Sequence, residues 1–244
     1  AHQTGNFDAA ISLINRVIES APDYHQAYNN LGNAYEAKGD PEKALEVYQK
    51  ALDLDPGYYD AIFNMGIAQR QLRQFEDATE TFLRYIEFDP RCADAHYELG
   101  FARQRLGDRV KAQISYRVAL NLDPDHADAR VALGEIFTTV GRVEEAIEEY
   151  NTGLETQPDH LKLLAEKGVA QRKIGLLEES LATVEKAQEQ NPESISTMLA
   201  LGSAHQTIGD ITKATESYMK AVELMPLSEA PHKCLLFVLL NVPG

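Results

Sequence analysis

Tryptophan is absent from this chain, and cysteine nearly so: Cys92 and Cys234 are the only two among 244 residues. Two thiols cannot build a disulfide framework and suit a reducing compartment, so a cytoplasmic location is expected. No apolar run approaches the roughly 18 residues that a membrane-spanning helix needs, so no membrane insertion is expected. Positive charge is scarce as well. Lys and Arg number 23 against 38 Asp and Glu, a formal charge of −15. Nucleic acid and anionic membranes both require clustered cations, so neither is an expected partner. The first residues, AHQTGNFDAAIS, lack the charged-then-apolar layout of a signal peptide. With Ala1 in place of Met, the chain reads as a piece of a longer protein. Phosphate-cradling loops, HExxH and nucleophile elbows are all missing, and the seven His are scattered. No catalytic, cofactor or metal site is therefore expected.

What the chain does have is a period. Pro22, Pro56, Pro90, Pro124, Pro158, Pro192 and Pro226 are evenly spaced, each 34 after the last. Gly32, Gly66, Gly100, Gly134, Gly168 and Gly202 keep the same step, as do Ala10, Ala44, Ala78, Ala112, Ala146 and Ala214, with Ser180 in the remaining slot. Three residue types sharing one period mark a solenoid of stacked units. A partial unit (1–24) is followed by six full repeats, 25–58, 59–92, 93–126, 127–160, 161–194 and 195–228, and then by an apolar segment, 229–244, that caps or links.

Each unit reads as helix–turn–helix. Tyr28, Leu31, Gly32 and Tyr35 share one helical face, and Ala44, Val47, Tyr48, Ala51 and Leu54 share another. Asp40 before Pro41 predicts an N-cap and a first-turn proline, with Asp108, Asp210 and Asn6 in the same slot. Gly39, Gly107, Gly141, Gly175 and Gly209 are expected to end first helices in a left-handed conformation, with Arg73 standing in once. The repeat-position-8 glycine should face the position-20 alanine within a hairpin. The bulky residue at position 24 (Tyr48, Phe82, Tyr116, Tyr150, Val184, Tyr218) should fill the gap to the next unit.

The pattern Tyr28-x2-Leu31-Gly32-x2-Tyr35, followed by Gly39, Ala44, Tyr48, Ala51 and Pro56, resembles the tetratricopeptide repeat over nearly the whole chain. The resemblance implies an all-α, right-handed superhelical solenoid of antiparallel helix pairs that binds other proteins and is not an enzyme. The short apolar stretch Cys234 to Leu240 is also similar to the segment preceding the catalytic part of bacterial O-linked N-acetylglucosamine transferase-like proteins. That likeness implies, as alternatives, a substrate-recognition arm of a larger glycosyltransferase or, from the exposed helix itself, self-association. Asn30 and Asn64 match the position-6 asparagine ladder of such proteins, whereas Glu98, Ala132, Glu166 and Ala200 depart from it.

In the tetratricopeptide arrangement first helices line the concave face. The expected partner-binding groove then comprises Asn29, Asn30, Asn33, Phe63, Asn64, Ile67, Arg70, Tyr97, Phe101, Gln104 and Arg105. Phe63, Ile67, Tyr97 and Phe101 make apolar surface suited to hydrophobic anchors, and Arg70 and Arg105 suit an acidic neighbour. The competing expectation for these side chains is packing between repeats. Arg130 and Lys167 occupy core slots, where their stems should pack and their heads reach solvent; for Lys167, pairing with an anion is the alternative. The run Glu144, Glu145, Glu148, Glu149 reads as a solvated outer face.

Overall fold

The computed structural model describes residues 4–240, all of whose regular structure is α-helical. By its contacts the chain falls into two compact units that meet in sequence at Pro124 and Asp125. The first holds α1 (Thr4–Ser20), α2 (His25–Lys38), α3 (Pro41–Leu54), α4 (Tyr59–Gln71), α5 (Phe75–Phe88), α6 (Ala93–Arg105) and α7 (Arg109–Leu122). The second holds α8 (Ala127–Thr139), α9 (Val143–Thr156), α10 (Leu161–Lys173), α11 (Leu177–Gln190), α12 (Ile195–Ile208), α13 (Ile211–Leu224) and α14 (Glu229–Leu240). First helices begin at His25, Tyr59, Ala93, Ala127, Leu161 and Ile195, one on each step of the proline period, and α14 starts on the next step of that register.

Local chemistry sets these ends. Asp40, Asp108 and Asp210 accept from the backbone N–H of Lys43, Lys111 and Lys213 at 3.1–3.2 Å, satisfying a donor the helix cannot. Each also pairs with the same lysine's ammonium, and these contacts hold the carboxyls below their ordinary range. His126 and His160 cap α8 and α10 through Nδ1, which accepts from Ala129 and Leu163 N–H at 3.3 Å. The cap expected of the Asn6 side chain lies outside the described residues; the helix α1 runs from Thr4. The five turn glycines adopt φ near +85°, and Arg73, at φ 62°, is the one other residue described there.

The core explains the position-8 glycines more sharply than the period does. A Cβ on Gly32 would lie 2.3 Å from the Tyr48 ring, and on Gly66 2.7 Å from Phe82. Position 24 therefore packs over its own hairpin's glycine as well as toward the next repeat, where Tyr48 also meets Ala61 and Ile62. Position 20 lies close by: Ser180 Oγ donates to Gly168 O at 2.7 Å.

Two expectations are corrected. The Arg130 head does not reach solvent; it is buried and paired with Glu149 at 3.1 Å, its stem lying where a Gly153 side chain would be. A buried guanidinium needs a partner, so Glu149 leaves the solvated row, whereas Glu145 pairs with Arg142 at the surface, as an outer face allows. Lys167 has its stem half-buried, and burial with the nearby Lys186 pushes its ammonium below the usual range. The helix α14 seats Pro231 and Val238 inward, the latter against Ala214 and Tyr218 of α13, while Leu236, Phe237, Leu239 and Leu240 stay exposed. Among the described residues, no helix is long and apolar enough to cross a membrane.

Candidate partner-binding groove

Within each unit, first helices of successive repeats approach one another, whereas second helices do not. In the first unit α2, α4 and α6 consequently form the closely spaced face, and the expected groove residues lie along it. Asn29 sits at the floor rather than on the surface, 5% exposed. The Asn64 amide donates to Asn29 Oδ1 and Asn33 Oδ1, both at 3.0 Å, and Asn33 Oδ1 also accepts from Tyr48 Oη at 2.7 Å. Asn30 points to solvent. The two ladder-like amides thus differ: Asn64 is spent within the protein and Asn30 is not.

Aromatic packing organises the next stretch. Phe63 is half-buried, edge-on to Phe82 at 5.8 Å and 5.0 Å from Tyr85, and Ile67 packs against the same cluster. Tyr97 tilts against Tyr116 at 5.8 Å. Phe101 lies 6.4 Å from Phe75 and beneath the Arg70 guanidinium, 5.3 Å away, while Arg105 covers Phe75 at 5.5 Å. These rings serve packing and also keep one edge in the groove. Arg70 is paired with Glu98 at 2.9 Å, so its charge is answered from within, and Arg105 is the exposed cation of the two.

A recurring contact escaped sequence reasoning. The position-24 tyrosine reaches past its glycine and hydrogen-bonds the groove residue twelve positions earlier: Tyr48 to Glu36 at 3.1 Å, Tyr116 to Gln104 at 2.6 Å and Tyr218 to Gln206 at 3.2 Å. Burial raises the Glu36 carboxyl above its ordinary range despite that bond. Core and groove are thereby tied together, which fixes the polar row of this first-helix face.

Several cavities include first-helix residues. One of about 340 Å³ in the first unit is lined by Asn29, Asn30, Asn33, Tyr58, Asp60, Phe63, Asn64 and Tyr85. Another of about 390 Å³ in the second is lined by Arg172, Ser203, Gln206, Lys233 and Phe237 among others. Sequence reading passed over Tyr58 and Asp60, although Asp60 holds a groove-facing slot at repeat position 2. Among the described residues, no group of three or more His, Cys, Asp or Glu is placed to hold a metal.

Residues 25–234 match the family described as the cilia and flagella-associated protein 70 C-terminal domain, a tetratricopeptide-repeat family. The chain belongs to it. No curated protein sequence matches, but many solved structures share the fold. A tetratricopeptide repeat protein from Parabacteroides merdae superposes with TM-score 0.81 at 17% identity, over 96% of this chain and 93% of its own. A chain of the APC/C hetero-tetramer Cut9–Hcn1 gives TM-score 0.79 at 13% identity over 97% of this chain, which spans only 46% of that relative. YrrB, described as a tetratricopeptide protein with an unusual peptide-binding site, gives 0.58 at 23% identity, over 77% of this chain and 96% of its own. At these identities the likeness establishes an all-α tetratricopeptide solenoid. That architecture suits an interaction scaffold, because repeated hairpins supply an extended ordered face.

Proposed function

We propose that this tetratricopeptide chain is a non-catalytic scaffold whose first-helix face holds a segment of another protein. The observation that carries the reading is the row Phe63, Ile67, Tyr97 and Phe101. All four are half-buried, held by neighbours on their inner side and open to the groove on the other. Rings fixed in advance lose little conformational freedom when a partner docks, which favours hydrophobic anchors over a polar surface. With Arg70 answered by Glu98, the cation beside this row is Arg105.

Site-specific photo-crosslinking in extract from the source cells tests the assignment. A photoreactive residue at exposed Gln71, on the groove face, should capture partner protein. The same residue at exposed Ile114, on the second helix α7, should not. Equal capture at both positions, or capture only from Ile114, would overturn the groove as the binding face.

A further inference from the structure

The cavity beside Asp60 combines features that the groove reading leaves unexplained. Its lining comes from α2, from the start of α4 and from α5, all within the first unit. Tyr58 is pushed up by burial first and by the charge of the nearby Asp60 carboxylate second. Tyr85 is likewise raised, by burial and then by Cys92, Asp89 and Asp60, so the surroundings are acidic. Asp60 itself is exposed, and no Lys, Arg or His of the described residues pairs with it.

A first-turn carboxylate has an ordinary use beside a helix N-terminus, and Asp128 holds the same repeat position. The comparison separates the two. Asp128 is answered from the same slot of the next repeat by Lys162 at 3.2 Å, whereas the residue in that slot after Asp60 is Asp94. The solenoid thus supplies a cation in one place and a second carboxylate in the other. Around Asp60 the Asn29 and Asn33 oxygens already accept from Asn64 and Tyr48, so the charged acceptor left open is the Asp60 carboxylate. The Asn64 amide N–H groups are already committed to Asn29 and Asn33, which leaves its oxygen for a donor.

We propose that this cavity receives an arginine side chain of the bound segment, with Asp60 as its counter-charge. The proposal rests on the groove reading and names the partner chemistry it selects. A guanidinium offers five N–H donors in one plane, matching a carboxylate, amide oxygens and phenolic oxygens at once. The Phe63 and Tyr85 rings, 5.0 Å apart, give that plane a wall to lie against. A cavity of about 340 Å³ has room for the whole side chain. The overall charge of −15 favours the approach of a basic segment. An acidic side chain would be repelled by Asp60, and an apolar one would leave that carboxylate without a counter-charge.

The test is an NMR titration of the isotopically labelled chain with the tripeptide acetyl-Ala-Arg-Ala-amide. Comparison peptides carry citrulline, lysine or glutamate in place of arginine. The arginine peptide should shift the amide signals of Asn30, Asp60 and Asn64, and the citrulline peptide, of the same shape without charge, should bind at least tenfold more weakly. Asp60→Asn should weaken the arginine peptide about tenfold with unchanged thermal unfolding, and Tyr85→Phe should weaken it less. Equal binding of the citrulline or lysine peptide, or an unaltered affinity in Asp60→Asn, overturns the assignment. A parallel titration with acetyl-Phe-Ala-Phe-amide reads the aromatic row. Shifts at Phe63 and Phe101 there, without an arginine response, would leave the groove standing and remove the arginine pocket. Silence from every peptide would count against both.

Discussion

Gly134→Ala isolates the contact that holds a hairpin together. In a helix interior, alanine for glycine is ordinarily worth about 1 kcal/mol of added stability. Here the new Cβ would lie 2.3 Å from Tyr150 Cε1, 2.5 Å from Cζ and 2.7 Å from the hydroxyl oxygen. Comfortable carbon–carbon contact begins at roughly 3.5 Å, so the ring must retreat by on the order of 1 Å. Tyr150 is 1% exposed and has nowhere to go without displacing its neighbours. Overpacking of this kind costs about 1–3 kcal/mol and occasionally more. With the ring locked in place the cost falls toward the upper end, so the clash outweighs the propensity gain and a net loss of about 1–2 kcal/mol is expected. Tyr150→Leu removes all three clashing atoms while keeping an apolar side chain. In that background Gly134→Ala should reverse sign and stabilise by about 1 kcal/mol. Urea unfolding of the four proteins, followed by far-ultraviolet circular dichroism, closes the cycle. A Gly134→Ala protein as stable as the parent, or the same sign in both backgrounds, would refute the argument that ring occupancy dictates this glycine.

Two further substitutions test the electrostatics. Glu149→Gln leaves the buried Arg130 guanidinium without its carboxylate and should cost about 2–3 kcal/mol, whereas the double change with Arg130→Met should recover most of that loss in the same urea assay. Glu166 is raised by burial first and by Glu135 second, so its folded-state value lies above the ordinary 4.5. A carboxyl raised on folding contributes stability that is full below its unfolded value and is lost as pH rises through the folded one. Glu166→Gln should therefore be more stable than the parent near neutrality, with the advantage fading as pH falls toward 4.5 and below; thermal unfolding across pH 4 to 8 reads it. The cap aspartates run the other way. Asp40, Asp108 and Asp210 are lowered chiefly by their bonds to lysine and backbone N–H, so their contribution holds above 3.8 and disappears as acid protonates them.

The fold was legible because the sequence states it repeatedly. A turn glycine needed at φ near +85° or an aspartate needed as a cap recurs from repeat to repeat, and a lapse such as Arg73 is outvoted by its equivalents. Arg130 misled because surface preference is an average over arginines, and pairing with a carboxylate on the neighbouring helix overrides it. Gly153, outside the period, becomes intelligible only beside that arginine and Leu163.

Groove chemistry is harder to read because it is written between repeats rather than within them. Arg70 meets Glu98, joining position 12 of one repeat to position 6 of the next. Asn64 reaches back 31 and 35 residues to Asn33 and Asn29. None of these offsets equals the repeat length, so a helix wheel drawn on one unit cannot show which cations are already answered. Once the offsets are known, the sequence says more. Position 12 supplies Glu36, Arg70 and Gln104 in successive repeats, and position 6 supplies Asn30, Asn64 and Glu98. The arginine meets the one carboxylate in that second series, and the groove loses a free cation where a single-repeat reading offers one. At position 2 the opposite happens, since Asp60 is followed by Asp94 and no lysine arrives to answer it. The selectivity of such a face is set by the charges its neighbouring repeats leave unanswered, and in the first unit that residual charge is negative at Asp60 and positive at Arg105.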